Sequence, residues 1–306
     1  MKRIIFGLLV VALGVVLMYG REHRSGNISI TNHESATSDN CSDHFQLHQG
    51  EFASVVSGEE TRMLPNQPLS IRAAKNGGIR VTTWDGPEFS VKLCKQVAAD
   101  AEPEARKILD ETKLAVEGST VSVAAPQDSG HSNMATLLLV KAPRDASVKL
   151  QVHNGGASLY KSSGTAEAET TNGGISLKNS TGKLTVRATN GGVSIRDCGG
   201  EINATVANGG LSIALPEKWE GKGLDAHTQN GGLSIAIPKN FSPGLEVVAS
   251  VHVGLVCRGT ACQNAQKTSE GGRQILRLGP GEPQIRATTQ NGGVVIQDLE
   301  REYAKE

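Results

Sequence analysis

The tripeptide Asn-Gly-Gly occurs seven times in this chain of 306 residues, beginning at Asn76, Asn154, Asn172, Asn190, Asn208, Asn230 and Asn291. From Asn154 to Asn208 each copy lies a constant eighteen positions after the one before. The next interval, to Asn230, is longer by a four-residue insertion around LPEKWEGKG. The last, to Asn291, is more than three times the regular period and has room for three further coils whose turns have lost the motif. A fixed period of this kind implies an array in which each unit buries its apolar side chains against neighbours of the same design.

Within the unit GKLTVRATNGGVSIRD, Leu184, Val186 and Ala188 alternate with Thr185, Arg187 and Thr189, and after the turn Val193 and Ile195 alternate with Ser194 and Arg196. Val148, Leu150, Val152, Ala157 and Leu159 fill the same slots in one unit, and Ile202, Ala204, Val206, Leu211 and Ile213 in another. Period-two alternation is the pattern of half-buried strands. Asn followed by Gly supplies residues that accept the positive φ a turn needs. Two all-β architectures satisfy this pattern. In a β-solenoid of about 18-residue coils, identical slots stack at about 4.8 Å, and the asparagines form a ladder along one edge. In a repeated-hairpin β-meander, Asn-Gly is a type I′ turn and Val186 faces Ile195. The solenoid is preferred, because coils enclose their own core whereas a long meander leaves its apolar face bare. A left-handed six-residue step is excluded, since counted from Leu184 it turns Asn190 and Arg196 inward.

The composition fits small, repeated core slots. Hydrophobic residues make up 38% of the chain but aromatics only 3%, which argues against a conventional catalytic cleft. Lys plus Arg equals Asp plus Glu at 31 each, which removes the electrostatic footprint of a nucleic-acid binder or a polybasic membrane clamp. Met1-Lys2-Arg3 followed by the uncharged run Ile4 to Tyr19 reads as a signal peptide or an uncleaved signal anchor over residues 1–20. Export to the periplasm or cell surface follows. Residues 21–50 are polar and aperiodic and read as a tether, leaving residues 51–306 as the strand-repeat domain. Five cysteines in an oxidising compartment leave at least one unpaired. Cys257 and Cys262 are expected to bond across CRGTAC, whose Gly259 allows a tight return between flanking strands, while spacing does not pair Cys41, Cys94 and Cys198. A helix is expected between Ala98 and Thr112, capping one end of the stack. The first repeat, LSIRAAKNGGIRVTTWDG, alternates out of phase with the others before its turn, and PQIRATTQNGGVVIQDLE reads as the closing repeat.

The export signal, the strand pair closing on WDG, the single helix and the GxLxVxxxNGGxxI units resemble the bacterial putative-adhesin family of exported β-strand-repeat domains of unknown function, over roughly residues 50–300. The resemblance implies a right-handed β-helix-like domain with an adhesive or envelope role, and it supplies no catalytic residues.

The candidate chemistry is thin. Cys41, Asp43, His44 and His48 have spacings a metal could use, but they fall in the tether and read as solvated, so neither metal nor cofactor is expected. Ser158, Ser176, Ser194, Ser212 and Ser234 form a column of equivalents rather than one nucleophile with its base. Glu167 and Glu169 read as a solvated face rather than an acid/base pair, and His153 and His227 as exposed residues. The expectation is a non-enzymatic exported module whose polar repeat face binds an envelope protein or glycan. The alternatives are an envelope polysaccharide-active β-helix enzyme and a membrane-anchored, self-associating scaffold or sensor, the latter a homo-oligomer.

Overall fold

The computed structural model describes residues 28–30, 38–47, 54–126, 132–239, 241, 243–280 and 282–299, so the segment 1–20 read as a signal or anchor lies outside the described residues. Among the described residues no helix is long and apolar enough to cross a membrane. Each Asn-Gly-Gly turn passes the chain from one sheet to another. Lys183–Asn190 belongs to a twelve-stranded sheet and Val193–Arg196 to an eleven-stranded one. The lateral neighbours of Val186 are Ala168 and Ala204, not Ile195, so the hairpin meander is not the arrangement adopted. The physical reason is burial: a strand and its successor on opposite sheets can both turn their apolar residues inward.

Successive units pair in parallel and in register. Leu184 lies between Ala166 and Ile202, and Val193 between Ile175 and Leu211. The inward side chains of both sheets form one continuous core, in which Leu184, Val186, Val193 and Ile195 are essentially inaccessible. The first repeat joins the same register despite its phase: Leu69 pairs with Val148 and Asn76 with Asn154. Three residues separate Arg72 from Asn76 where two separate Gln151 from Asn154, and that extra residue absorbs the shift.

The two long intervals in the sequence are not lost coils. The repeat of Asn291 stacks directly on that of Asn230, with Leu224 opposite Ile285 and Leu233 opposite Val294. Of the residues between, Gly244–Ser250 and Leu255–Cys257 form one further strand pair on the far side of the Asn291 repeat. Gln266–Glu270 and Arg273–Leu278 form an antiparallel hairpin beyond it. The expectation of three coils is therefore corrected to one strand pair and a hairpin, and the last repeat in sequence is not the last in space. The other end mirrors this: Leu69–Arg72 and Gly77–Trp84 are flanked on one side by Val148–Asn154 and Ala157–Tyr160, and on the other by Thr120–Ala124 and Ser132–Pro143. All seven Asn-Gly-Gly units are thus contiguous in space, and both intervals are excursions that close the ends.

The helix Glu102–Glu111 packs Ala105 and Leu109 on Val97 and Ala99 of the strand Phe89–Ala99, next to the edge strand Ser54–Leu64. Lys95 Nζ donates to the carbonyls of Leu109 and Thr112, closing the helix C-terminus. The helix covers side chains at that end of the stack, while the edge itself is Ser54–Leu64.

Candidate functional site

With the inward slots committed to the core, any recognition chemistry belongs to the outward columns. On the long strands, Glu167 and Glu169 sit between Lys149 and Arg187 of the neighbouring strands. Lys149 Nζ lies 3.1 Å from Glu167 and 3.8 Å from Glu169; Arg187 Nη1 lies 3.0 Å from Glu167 and 3.6 Å from Glu169. The hydrogen bond from Lys149, with the charges of both cations, holds the Glu167 carboxyl below the usual range. The Glu167 carboxyl is thereby favoured as the anion, a poor state for a general acid. His227 stands half-buried on the same face with its Nδ1 2.7 Å from Thr288 Oγ1, and His153 is exposed.

On the short strands the serines Ser158, Ser176, Ser194, Ser212 and Ser234 do align, preceded by Arg80 and followed by Val295. They run along a shallow groove of about 750 Å³ whose floor includes the second glycine of successive turns. Its lining contains no imidazole, carboxylate or amine. Within that lining no residue is placed as the base a serine nucleophile requires.

The asparagines form the ladder expected of them. Each side-chain amide donates to the previous Asn Oδ1, from Asn154 to Asn76 (2.8 Å), Asn172 to Asn154 (2.9 Å), Asn190 to Asn172 (3.1 Å), Asn208 to Asn190 (3.1 Å), Asn230 to Asn208 (2.9 Å) and Asn291 to Asn230 (2.9 Å). None of the seven adopts positive φ; in five of the turns that conformation falls to the glycine that follows, at Gly155, Gly173, Gly191 (φ 153°), Gly209 and Gly292.

A second column went unread in the sequence. Lys161, Asn179 and Asp197 take left-handed φ of 59°, 53° and 52° at the opposite corner of successive units, and Gly164, Gly182 and Gly200 follow at the same regular interval. Between them lie Ser162, Ser180 and Cys198, all buried. Cys198 thus fills a serine slot in a turn, with Sγ 3.2 Å from the Arg196 carbonyl. The interval that betrays Asn-Gly-Gly also marks these glycines.

The disulfide Cys257–Cys262 is present, but the chain between enters the 3₁₀ turn Thr260–Asn264 rather than returning directly to a strand. Asp298 accepts from the Thr260 N–H and hydroxyl (both 2.8 Å) and from the Ala261 N–H (3.1 Å). Cys41 is bonded to Cys94, and Cys198 is free. Part of the segment read as a tether is therefore docked. Cys41 and Phe45 pack on Cys94, Leu137 and Leu139, and the His44 ring is wholly buried. His44 Nε2 donates to the Ser38 carbonyl (2.9 Å), leaving Nδ1 to accept from Arg80 Nη1 (3.3 Å). That geometry describes a neutral imidazole, and burial lowers its pKa, with the Arg80 charge adding to the effect. The disulfide takes Cys41 out of the candidate metal set, and His48 lies outside the described residues.

These features define an all-β strand-repeat protein with two large sheets, stapled by disulfides and bearing regular polar columns on its outward faces. No protein-family model matches the chain, and no curated protein matches it in sequence. Among solved structures it is similar to a putative cell adhesion protein from Clostridium sporogenes, with 10% identity over 80% of this chain and 100% of that one and a TM-score of 0.29. It is similar also to a putative adhesin from Bacteroides fragilis, with 12% identity, 79% and 97% coverage and a TM-score of 0.24. A third is a putative lipid binding protein from Parabacteroides distasonis, with 10% identity, 78% and 96% coverage and a TM-score of 0.32.

Proposed function

We propose that this chain is an exported, non-enzymatic binding module of the cell envelope: a right-handed β-solenoid of about 18-residue coils whose outward columns engage an envelope protein or glycan. The observation that carries the reading is the pinning of Glu167 and Glu169 between Lys149 and Arg187, which makes that face a fixed pattern of charge. Parallel strands of one sheet joined through the other favour the right-handed sense, and two disulfides suit an oxidising compartment outside the cytoplasm. In this reading residues 1–20 are the signal or anchor and the serine and asparagine ladders are structural.

The test is sedimentation of the full chain with isolated envelopes, alongside a screen for depolymerisation of envelope glycans. Binding without turnover is expected. Turnover that Glu167→Gln or Glu169→Gln abolishes would replace the reading with the enzymatic one. Self-association is a second reading, favoured by the edge strand Ser54–Leu64, on which Val55 and Met63 are 39% and 50% exposed. A strict monomer in analytical ultracentrifugation at high concentration removes it.

A further inference from the structure

The array departs from its period once between regular units, at the four-residue insertion before Asn230, and the inserted chain lines a pocket. Trp219, in the insertion, faces Pro243 and Gly244 of the strand pair beyond the last repeat and Pro280, Glu282, Pro283 and Gln284 leading into that repeat. Lys222, Asp225 and Arg286 complete the lining of this open pocket, whose volume is about 720 Å³, within the usual range for small-molecule sites.

The side chains here differ from those on the neighbouring units in one respect. Asp225 and Arg286 occupy the same outward column as Glu167 and are register partners on adjacent strands. Glu167 is held by two cations, and Lys183 pairs with Glu201 at 3.2 Å on the next column. The side chains of Lys222, Asp225, Glu282, Gln284 and Arg286 are all exposed and enter no hydrogen bond or ion pair among the described residues. The Trp219 ring, by contrast, lies so close over Gly221 that a Cβ there would overlap it. The unspent hydrogen-bonding groups beside it are therefore available to a ligand.

The charges of the lining balance, two acidic against two basic. A polyanion would face Asp225 and Glu282, and a polycation would face Lys222 and Arg286. A neutral ligand dense in hydroxyls uses all of them at once, because carboxylates accept from hydroxyls, the guanidinium and ammonium donate to them, and the Gln284 amide does both. The indole and proline rings offer apolar surface to the C–H face of such a ligand. We propose that this pocket is a saccharide site that takes a neutral sugar unit of a glycan. The proposal rests on the envelope-binding reading and names its ligand class.

The experiment applies the full chain, and a variant carrying Asp225→Asn and Arg286→Gln, to an array of neutral, sulfated and sialylated oligosaccharides, with sedimentation against whole envelopes in parallel. Both substitutions are at exposed positions, and an unchanged thermal melt establishes that the variant is folded. The expected result is binding to neutral oligosaccharides, weakened at least tenfold in the variant. Should the variant fail to fold, Gln284→Ala carries the same expectation of weakened binding. No neutral oligosaccharide bound, only charged ones bound, or equal binding by wild type and folded variant would each overturn the site. Envelope binding that persists while the neutral array stays empty removes the site and leaves the envelope reading intact. Neutral sugars bound without envelope binding would do the reverse.

Discussion

Asn190 and Gly191 are neighbours with separable tasks. The asparagine donates one amide bond to Asn172 and accepts one from Asn208 at an exposed corner. Asn190→Ala is expected to cost about 1–2 kcal/mol in urea unfolding, the net worth of two such bonds. Gly191 has φ 153°, and a Cβ there would overlap the Gly173 carbonyl oxygen. Gly191→Ala is expected to cost more, about 3 kcal/mol or above, through backbone strain and displacement of the neighbouring unit. Equal unfolding midpoints would show that the turn tolerates a side chain. Similar reasoning applies to Val186 and Arg187. Val186→Asp buries a carboxylate with no partner and should be severely destabilising, whereas Arg187→Ala loses a half-exposed ion pair worth about 0–1 kcal/mol. Arg187→Asp is a poorer comparison, because it sets a third carboxylate beside Glu167 and Glu169. At Cys198, burial pushes the thiol up to about 11. Thiol reagents should leave it unlabelled until the protein unfolds, and Cys198→Ser should melt close to wild type because Ser162 and Ser180 already occupy equivalent slots.

Among the elements, the segment Cys41–Leu47 has a stability that should depend on pH. His44 is buried as the neutral imidazole, with Arg80 opposing protonation and Asp43 and Asp39 favouring it. Its folded pKa lies below the unfolded value of roughly 6.5, so the unfolded segment binds the proton more readily. The stabilisation is present above that value and is lost as pH falls toward the folded pKa. Measured against the intrinsic rate at each pH, the protection of residues 41–45 from hydrogen exchange is expected to fall as pH drops from 7.5 to 5.5 while the Cys41–Cys94 bond keeps the segment attached, and His44→Asn should abolish that fall. A loss of protection of the same size in that variant would assign the effect to another group. The strands of each unit were legible because the alternation itself recurs at the fixed interval of the Asn-Gly-Gly turns. The docking of His44 was not, because it depends on Arg80 and Cys94, partners far away in sequence whose approach is set by the strand order of the sheet. The ion network around Glu167 was half legible: the columns could be written down, but which cations flank them depends on parallel register.

At the scale of the molecule, space and sequence disagree at both ends, and the disagreement is a device for closing an array. In a sequential stack, removing the terminal repeat costs one interface. Here the strands Pro283–Asn291 and Val294–Asp298 lie between the Asn230 unit on one side and Gly244–Ser250 with Leu255–Cys257 on the other. Ile285, Val294 and Ile296 are fully buried, each worth about 1.5–3 kcal/mol, and Asp298 also holds the turn of the Cys257–Cys262 loop. The Asn-Gly-Gly intervals alone did not reveal this, since a long gap reads equally well as degenerate coils or as an excursion; only the pairing of Leu233 with Val294 decides. A chain ending at residue 280 should therefore lose more than its missing repeat. Residues 244–278 are expected to become protease-sensitive as a block, while the units from Asn154 to Asn208 stay protected by their own parallel neighbours on both sides. If instead 244–278 remain protected in the truncated chain, they must stack directly on the Asn230 unit, and the interposed repeat would be dispensable to the closure of that end.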